Sequence, residues 1–305
     1  MVGTALKTGF SNMWTNKRMW IVFYLSNLFF GMILMLPFRG ALSNYIGNSK
    51  MGEILAGRLD MDFVFEFIQN IDSVMGLFGS LVPLVPILFC LFLIFLSGGA
   101  FAVFASGEKY TPVAFWGGCA QYFGRFIRLV LWSLLFGVLF FLLQLLVSLV
   151  RKLFGDDPYQ NITYWLGWVT VGVRYISIIL FGILLDYARI HAVTTGDRRM
   201  RVSVWYAFKF MFRNFVKTFS LALFLFVIGA MVLVIYNLIS DSLSAPSALV
   251  ILLLFVFQQL YMVFRMMMRL TFYSSQTNLF QSLSEDKITV TETSEGEIGI
   301  EGAPA

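Results

Sequence analysis

The only histidine of the chain, His191, lies in the stretch LLDYARIHAV together with Asp186 and Arg189. An imidazole beside a carboxylate is the pairing used in general acid–base catalysis. Catalysis of this kind also needs a positioned nucleophile or a metal, and the H-E-x-x-H and G-x-S-x-G patterns are absent from the chain. Because Asp186 and Arg189 are three residues apart on a predicted helix, we expect an interfacial ion pair here, with His191 beside it, and no catalytic residue.

The two cysteines, Cys90 and Cys119, are the other side chains that could bind a metal or form a covalent bridge. Two cysteines this far apart give neither a disulfide framework nor the ligand spacing of a metal site. The sequence therefore predicts no metal and no cofactor, and we do not expect an enzyme.

The apolar composition of the chain predicts the helices that carry these residues. Of the 305 residues, 59% are hydrophobic and 13% are charged, against about 45–50% and about 25% in soluble domains. A bilayer core roughly 30 Å thick is crossed by about 20 apolar residues in a helix. Six such runs are present: 20–37, 82–104, 129–150, 165–185, 218–239 and 248–269. They predict an all-α polytopic membrane protein with six transmembrane helices.

Two alternatives to this interpretation are weaker. A membrane β-barrel would show segments of alternating polar and apolar residues, whereas these runs are continuous. A cleaved signal peptide could begin with Lys17 and Arg18, but the apolar run that follows is longer than a signal-peptide core and no A-x-A-like site comes after it. The first run is therefore predicted to be a span.

The distribution of positive charge predicts the orientation of the spans. Sixteen of the 22 Lys and Arg residues fall on the side that holds both termini, five fall on the other side, and Arg174 lies within the fourth span. Short loops rich in Lys and Arg stay in the cytoplasm. Both termini are therefore predicted to be cytoplasmic.

Polar residues within the spans are candidates for function, because ionisable groups are costly in a membrane. Arg174 lies near the middle of the fourth span, and no span carries a central acidic residue to pair with it. The predicted intramembrane polar group consists of Arg174, Arg265, Gln144, Gln258 and Gln259. A polar interior around Arg174 would suit a carrier for a lipid or small amphiphile.

The segment 107–128 aligns with 196–217 without a gap and predicts an internal repeat. Gly107 then matches Gly196, and Trp116 matches Trp205. The N-terminus gives a fainter third copy at a shift of 202 residues. Internal repeats define architecture, so the predicted transmembrane domain, 1–280, is three repeats of a surface helix and a helical hairpin, at about 1–106, 107–195 and 196–280.

The segment 196–217 reads as an amphipathic helix. Val204, Phe208, Met211 and Phe215 form its apolar stripe, and a basic stripe lies beside it. Such a helix is expected in the membrane interface, where its cations meet anionic phospholipids. Nucleic acid is not an expected partner, because no base-reading module is present. The predicted contacts to lipid headgroups or to a partner are Arg198, Arg199, Arg201, Lys209, Arg213, Lys217, Arg125 and Arg128.

Two further segments lie outside the spans. Residues 43–76 show helical periodicity in Phe63, Phe67 and Ile71 and predict one or two short helices at the outer end of the bundle. Residues 281–305 are acidic and contain no aromatic residue, which predicts a disordered cytoplasmic tail.

The order of surface helices and hairpins, the stretch LLDYARIHAV and the closing stretch RLTFYSSQTNLFQSLS resemble a group of bacterial six-span inner-membrane proteins. The group includes the YciC-like proteins and the membrane domain attached to some glycerophosphodiester phosphodiesterases. The resemblance implies the bacterial inner membrane and an accessory role, since the soluble phosphodiesterase domain is not present in this chain.

The expected function is that of a non-enzymatic integral membrane protein. It would organise or sense the bilayer, or support a membrane partner or a second copy of itself, through its basic cytoplasmic helices. The alternative is the lipid or amphiphile carrier built around Arg174.

Overall fold

All regular structure among the described residues of the computed structural model is α-helical. The backbone is described at 1–57, 60–70, 72–153, 160–243 and 247–300. Side chains are described in these ranges except at 53, 56, 57, 68, 70, 72–80, 143, 144, 146–148, 150–153, 160, 162, 248 and 285–300. The helices are α1 (Val2–Thr15), α2 (Lys17–Ile46), α3 (Met51–Gly57), α4 (Met61–Asn70), α5 (Asp72–Ser106), α6 (Pro112–Leu153), α7 (Gln160–Thr194), α8 (Met200–Arg213), α9 (Phe215–Ser242) and α10 (Ala248–Ile300).

Six helical stretches in the described ranges are long and apolar enough to cross a membrane. They are Lys17–Ile46, Leu81–Ser106, Pro112–Leu142, Thr163–Thr194, Phe215–Ser242 and Leu249–Ser284. Backbone N–H and C=O groups have no water to bond in the bilayer core, and a helix satisfies them internally. The length and apolar composition of these helices therefore confirm the prediction of an all-helical, multi-pass membrane protein.

The predicted boundary between a surface helix at 107–128 and the third span is wrong, because α6 continues through both without a break. Its glycines, Gly117, Gly118 and Gly124, each cost about 1 kcal/mol relative to alanine. That cost weakens a helix but does not end it, and no proline follows Pro112 in this segment. The charge at Arg125 and Arg128 therefore lies within a long helix.

The N-terminal helix α1 and the helix α8 have matching ends. Val2 and Thr15, the ends of α1, lie 198 residues before Met200 and Arg213, the ends of α8. Asn16 and Asn214 follow them, and the side-chain amide of each donates to the carbonyl four residues earlier. The ends thus align at a shift of 198 residues, about one helical turn away from the 202 that the sequence indicated.

One of two compact units comprises 1–16, 97–226 and 270–305. Within it α5 and α6 approach closely at glycines: a Cβ on Gly99 would lie 2.5 Å from the Phe115 carbonyl oxygen, and a Cβ on Gly118 would lie 2.7 Å from the Ala102 Cβ. Phe101, Phe126 and other fully buried side chains fill the core between these helices. Small residues at such contacts let helix backbones pack in a membrane, where there is little hydrophobic drive between helices.

The other unit comprises 17–96 and 227–269. It contains the two short helices predicted in 43–76, α3 and α4, and the Asp60 side chain caps α4 by accepting from the backbone N–H groups of Asp62 and Phe63. Phe63 and Phe67 are buried against Tyr45 of α2. The prediction of short helices is confirmed; Ile71, the third member of the predicted stripe, lies outside the described residues.

The last helix, α10, runs to Ile300 and so includes most of the acidic segment for which the sequence predicts a disordered tail. Side chains are described only as far as Ser284. The disorder of 281–305 stays a prediction.

Candidate functional site

The six cations of the segment 196–217 are exposed on a surface made by α8, the two residues before it and the first turn of α9. They share this surface with apolar side chains: Trp205 is 63% exposed, Phe212 is 53% exposed and Val216 is 78% exposed. This surface is called the basic face below. It consists of Arg198, Arg199, Arg201, Lys209, Arg213, Lys217, Trp205, Phe212 and Val216.

Protein covers the central residues of the apolar stripe of this helix. Val204 and Met211 are fully buried, and Phe208 is half-buried against Phe136 of α6. Periodicity separates two stripes on a helix but does not say whether protein or lipid covers the apolar one. Here α6 and α7 cover it, so the basic face is the side of this segment that stays exposed.

The two predicted contacts on α6, Arg125 and Arg128, each donate a hydrogen bond within the protein. The Arg125 guanidinium donates to the Gly196 carbonyl at 3.3 Å and lies 5.3 Å from the Tyr122 ring centroid. Arg128 is exposed, and its Nε donates to the Gly124 carbonyl of its own helix. Arg125 therefore ties α6 to the loop before α8 while one side of its head stays open.

The predicted ion pair on α7 is confirmed. Arg189 and Asp186 approach to 3.2 Å, and their side chains are only 12% and 16% exposed. The Arg189 guanidinium also lies 5.8 Å from the Phe126 ring centroid on α6. The pair is therefore largely enclosed between helices, where an unpaired charge would be costly.

His191, the third residue of this predicted group, packs against α8. It is 8% exposed, its Nδ1 lies 3.2 Å from the Ser203 hydroxyl oxygen, and its ring lies 4.2 Å from the Tyr206 ring centroid. Both partners belong to α8. His191 therefore connects α7 to α8, a contact that the sequence could not indicate because its partners lie in another helix.

The predicted intramembrane polar residues are divided between the two units, with Arg174 in one and Arg265, Gln258 and Gln259 in the other. Arg174, Arg265 and Gln258 are exposed, and Gln259 accepts a hydrogen bond of 2.8 Å from the Tyr24 hydroxyl. The Gln144 side chain lies outside the described residues. Arg174 thus faces outward from α7, and no polar interior is seen around it among the described side chains.

Sequence reasoning missed a cavity of about 740 Å³, lined by both polar and apolar side chains, in the unit that contains α8. It lies where α5 and α7 end, and α6, α8 and α10 complete its wall. Its lining includes Ser106, Gln121, Tyr122, His191, Thr194, Thr195, Tyr206, Phe280, Gln281 and Ser284. Only the stretches LLDYARIHAV and RLTFYSSQTNLFQSLS pointed to part of it, since both contribute to the wall.

A run of buried polar side chains in α10 was also missed. Its members are Thr271, Ser274, Ser275, Gln276 and Thr277. Ser275 contacts Gly9 of α1, where a Cβ would collide with it. Polar side chains buried between helices are typical of membrane bundles, so this run is part of the packing of α10.

No three His, Cys, Asp or Glu side chains come together as a metal site would require, within the part of the chain that the structure describes. No protein-family model, no curated protein and no solved structure matches the chain.

Proposed function

We propose that the chain is a non-enzymatic protein of the bacterial inner membrane that organises anionic phospholipids, or supports a membrane partner, through the basic face of α8. The observation that carries the proposal is the alternation of exposed cations with exposed Trp205, Phe212 and Val216. Aromatic rings favour the headgroup region, and Lys and Arg reach from it to phosphates. Each cation near a negative leaflet gains about 1 kcal/mol.

The excess of positive residues on the side of both termini supports a cytoplasmic position for the basic face. A feature shared by two of the proposed repeats also supports the repeated architecture. Gly107 and Gly196, 89 residues apart, both have positive φ, +69° and +66°, in the turns before α6 and α8. A left-handed turn favours glycine because a Cβ would be strained there.

Trp205 gives a direct test of lipid contact. In vesicles that contain phosphatidylcholine and phosphatidylglycerol, bromine is placed on the chains of one lipid or the other. The signal of Trp205 is the difference in tryptophan fluorescence between the parent protein and the variant Trp205→Phe. We expect brominated phosphatidylglycerol to quench this signal more strongly than brominated phosphatidylcholine, because the neighbouring cations attract the anionic lipid.

Trp116 is the matched control, because it is also exposed and occupies the equivalent position of the proposed repeat without six cations around it. Its signal, isolated with Trp116→Phe, should show no comparable preference. Equal quenching of Trp205 by the two brominated lipids would contradict the proposal.

A further inference from the structure

We propose that the cavity between the ends of α5 and α7 binds a primary ammonium group, such as the ethanolamine headgroup of an aminophospholipid. Its first property is the charge of its wall. None of the described residues that line it is Asp, Glu, Lys or Arg. Among these residues an anion would find only the imidazole of His191 as a group that can carry a positive charge.

The second property is a surplus of hydrogen-bond acceptors. Thr194 and Thr195 donate their hydroxyl hydrogens to backbone carbonyls of α7, at distances of 2.9 and 2.7 Å. Ser106 and Ser284 do the same to carbonyls of α5 and α10, and the Ser106 oxygen also accepts from the Glu108 backbone N–H at 3.3 Å. A hydroxyl whose hydrogen is already used can still accept through its oxygen lone pairs. The oxygens of Thr194, Thr195 and Ser284 therefore favour a ligand that donates.

The third property is the direction of the helices. Ser106 ends α5 and Thr194 ends α7, so the C-terminal ends of two helices meet at the cavity. A helix C-terminus carries about half a negative charge, and only the N-terminus of α6, through Ala114, opposes them. The net effect favours a cation over an anion.

The fourth property is the aromatic part of the wall, for which Tyr206 and Phe280 count, because the Arg125 guanidinium already lies 5.3 Å from the Tyr122 ring centroid. The Tyr206 and Phe280 rings lie 6.2 Å apart in an edge arrangement. Aromatic faces attract cations, by roughly 0.5–2 kcal/mol depending on how far the cation is desolvated. An ammonium group supplies both the donors and the charge that this wall favours.

Arg125 indicates how a lipid would present such a group. It contacts the Tyr122 ring and the Gly196 carbonyl, and so lies beside the cavity without lining it. A phosphate would pair with this guanidinium, while the ammonium group two carbons away would enter the cavity. This step rests on the proposed contact of Arg125 with lipid phosphate, whereas the ammonium site itself does not depend on the basic face.

Gln121 offers a test by charge, because it lines the cavity and is exposed, so that its replacement should leave the fold intact. The full-length protein is placed in phosphatidylcholine nanodiscs that contain phosphatidylethanolamine as a minor lipid. Native mass spectrometry then counts the phosphatidylethanolamine molecules that remain bound. We expect Gln121→Lys to lower this binding on the order of tenfold through like-charge repulsion, and Gln121→Glu to raise it.

The matched control is Gln69→Lys, which adds the same charge at an exposed glutamine of the short helix α4, outside the six long apolar helices and not among the residues that line the cavity. It should leave phosphatidylethanolamine binding unchanged. Equal binding by Gln121→Lys and Gln121→Glu would overturn the proposal, provided that both variants keep the thermal unfolding midpoint of the parent.

Free ethanolamine distinguishes the source of the ammonium group. The ligand is the lipid headgroup if free ethanolamine displaces bound phosphatidylethanolamine and if Arg125→Gln weakens the binding of the lipid more than the binding of free ethanolamine. If free ethanolamine binds with the expected dependence on Gln121 while phosphatidylethanolamine binding does not change, the ammonium site stands and the lipid source is overturned. The Gln121 variants should not change the binding of phosphatidylglycerol to the basic face. A failure of the ammonium site can therefore be distinguished from a failure of the proposed function.

Discussion

Replacing Asp186 by Asn is expected to destabilise the protein by about 3–5 kcal/mol. The Arg189 side chain is only 12% exposed, and Asp186 is the carboxylate that the structure pairs with it, at 3.2 Å. Asn keeps the shape of the side chain but removes the charge, so that the guanidinium, enclosed beside the Phe126 ring, loses the carboxylate that it pairs with. The measurement is the free energy of unfolding in detergent, followed by tryptophan fluorescence.

The double variant Asp186→Asn/Arg189→Leu separates the charge from the shape of the site. With both charges gone, most of the lost stability should return, because the cost of a broken buried pair is mainly the cost of the charge left behind. A single variant as stable as the parent, or a double variant no better than the single one, would show that the pair is not enclosed as described.

Replacing Gly99 by Ala is expected to destabilise the protein by about 2–3 kcal/mol. The added methyl group would lie 2.5 Å from the Phe115 carbonyl oxygen and 2.6 Å from the Cys119 Sγ. A backbone oxygen cannot rotate out of the way as a flexible side chain does, so α5 and α6 must move apart. The midpoint of thermal unfolding in detergent should fall accordingly.

Gly117→Ala is the control for this change, because Gly117 lies on α6 beside the same contact but a Cβ there meets nothing within 4 Å. Alanine is the better helix former by about 1 kcal/mol, so this variant should be as stable as the parent or more stable. If the two alanine variants shifted the midpoint alike, the close approach of α5 and α6 would be refuted.

The six spans were predictable because each rests on about 20 consecutive apolar residues, a signal that no neighbouring helix can reverse. The Asp186–Arg189 pair was predictable for a similar reason, since both residues belong to one helix and their spacing brings them together. The two short helices α3 and α4 followed from the periodicity of Phe63 and Phe67. All three predictions depend on local sequence.

Other features of the site depend on contacts between segments far apart in the chain, and the sequence did not indicate them. His191 is buried because Ser203 and Tyr206 of α8 cover it, and Val204 is buried because α6 and α7 pack on α8. Arg174 is exposed on α7, and the polar interior expected around it stays a prediction. The cavity is formed by the ends of separate helices, and no single stretch of sequence shows it.

The lipid that accompanies the protein out of its membrane tests the proposed role of the basic face most directly. The protein is solubilised gently, and the bound phospholipids are compared with those of the whole membrane. We predict that phosphatidylglycerol or another anionic phospholipid is enriched, and that the enrichment is lost when all six cations, Arg198, Arg199, Arg201, Lys209, Arg213 and Lys217, are replaced by Gln. Replacing the exposed Arg174 and Arg265 by Gln is the control and should preserve it. The account would be contradicted if the bound lipid had the same anionic fraction as the whole membrane, both in the parent protein and in the six-site variant.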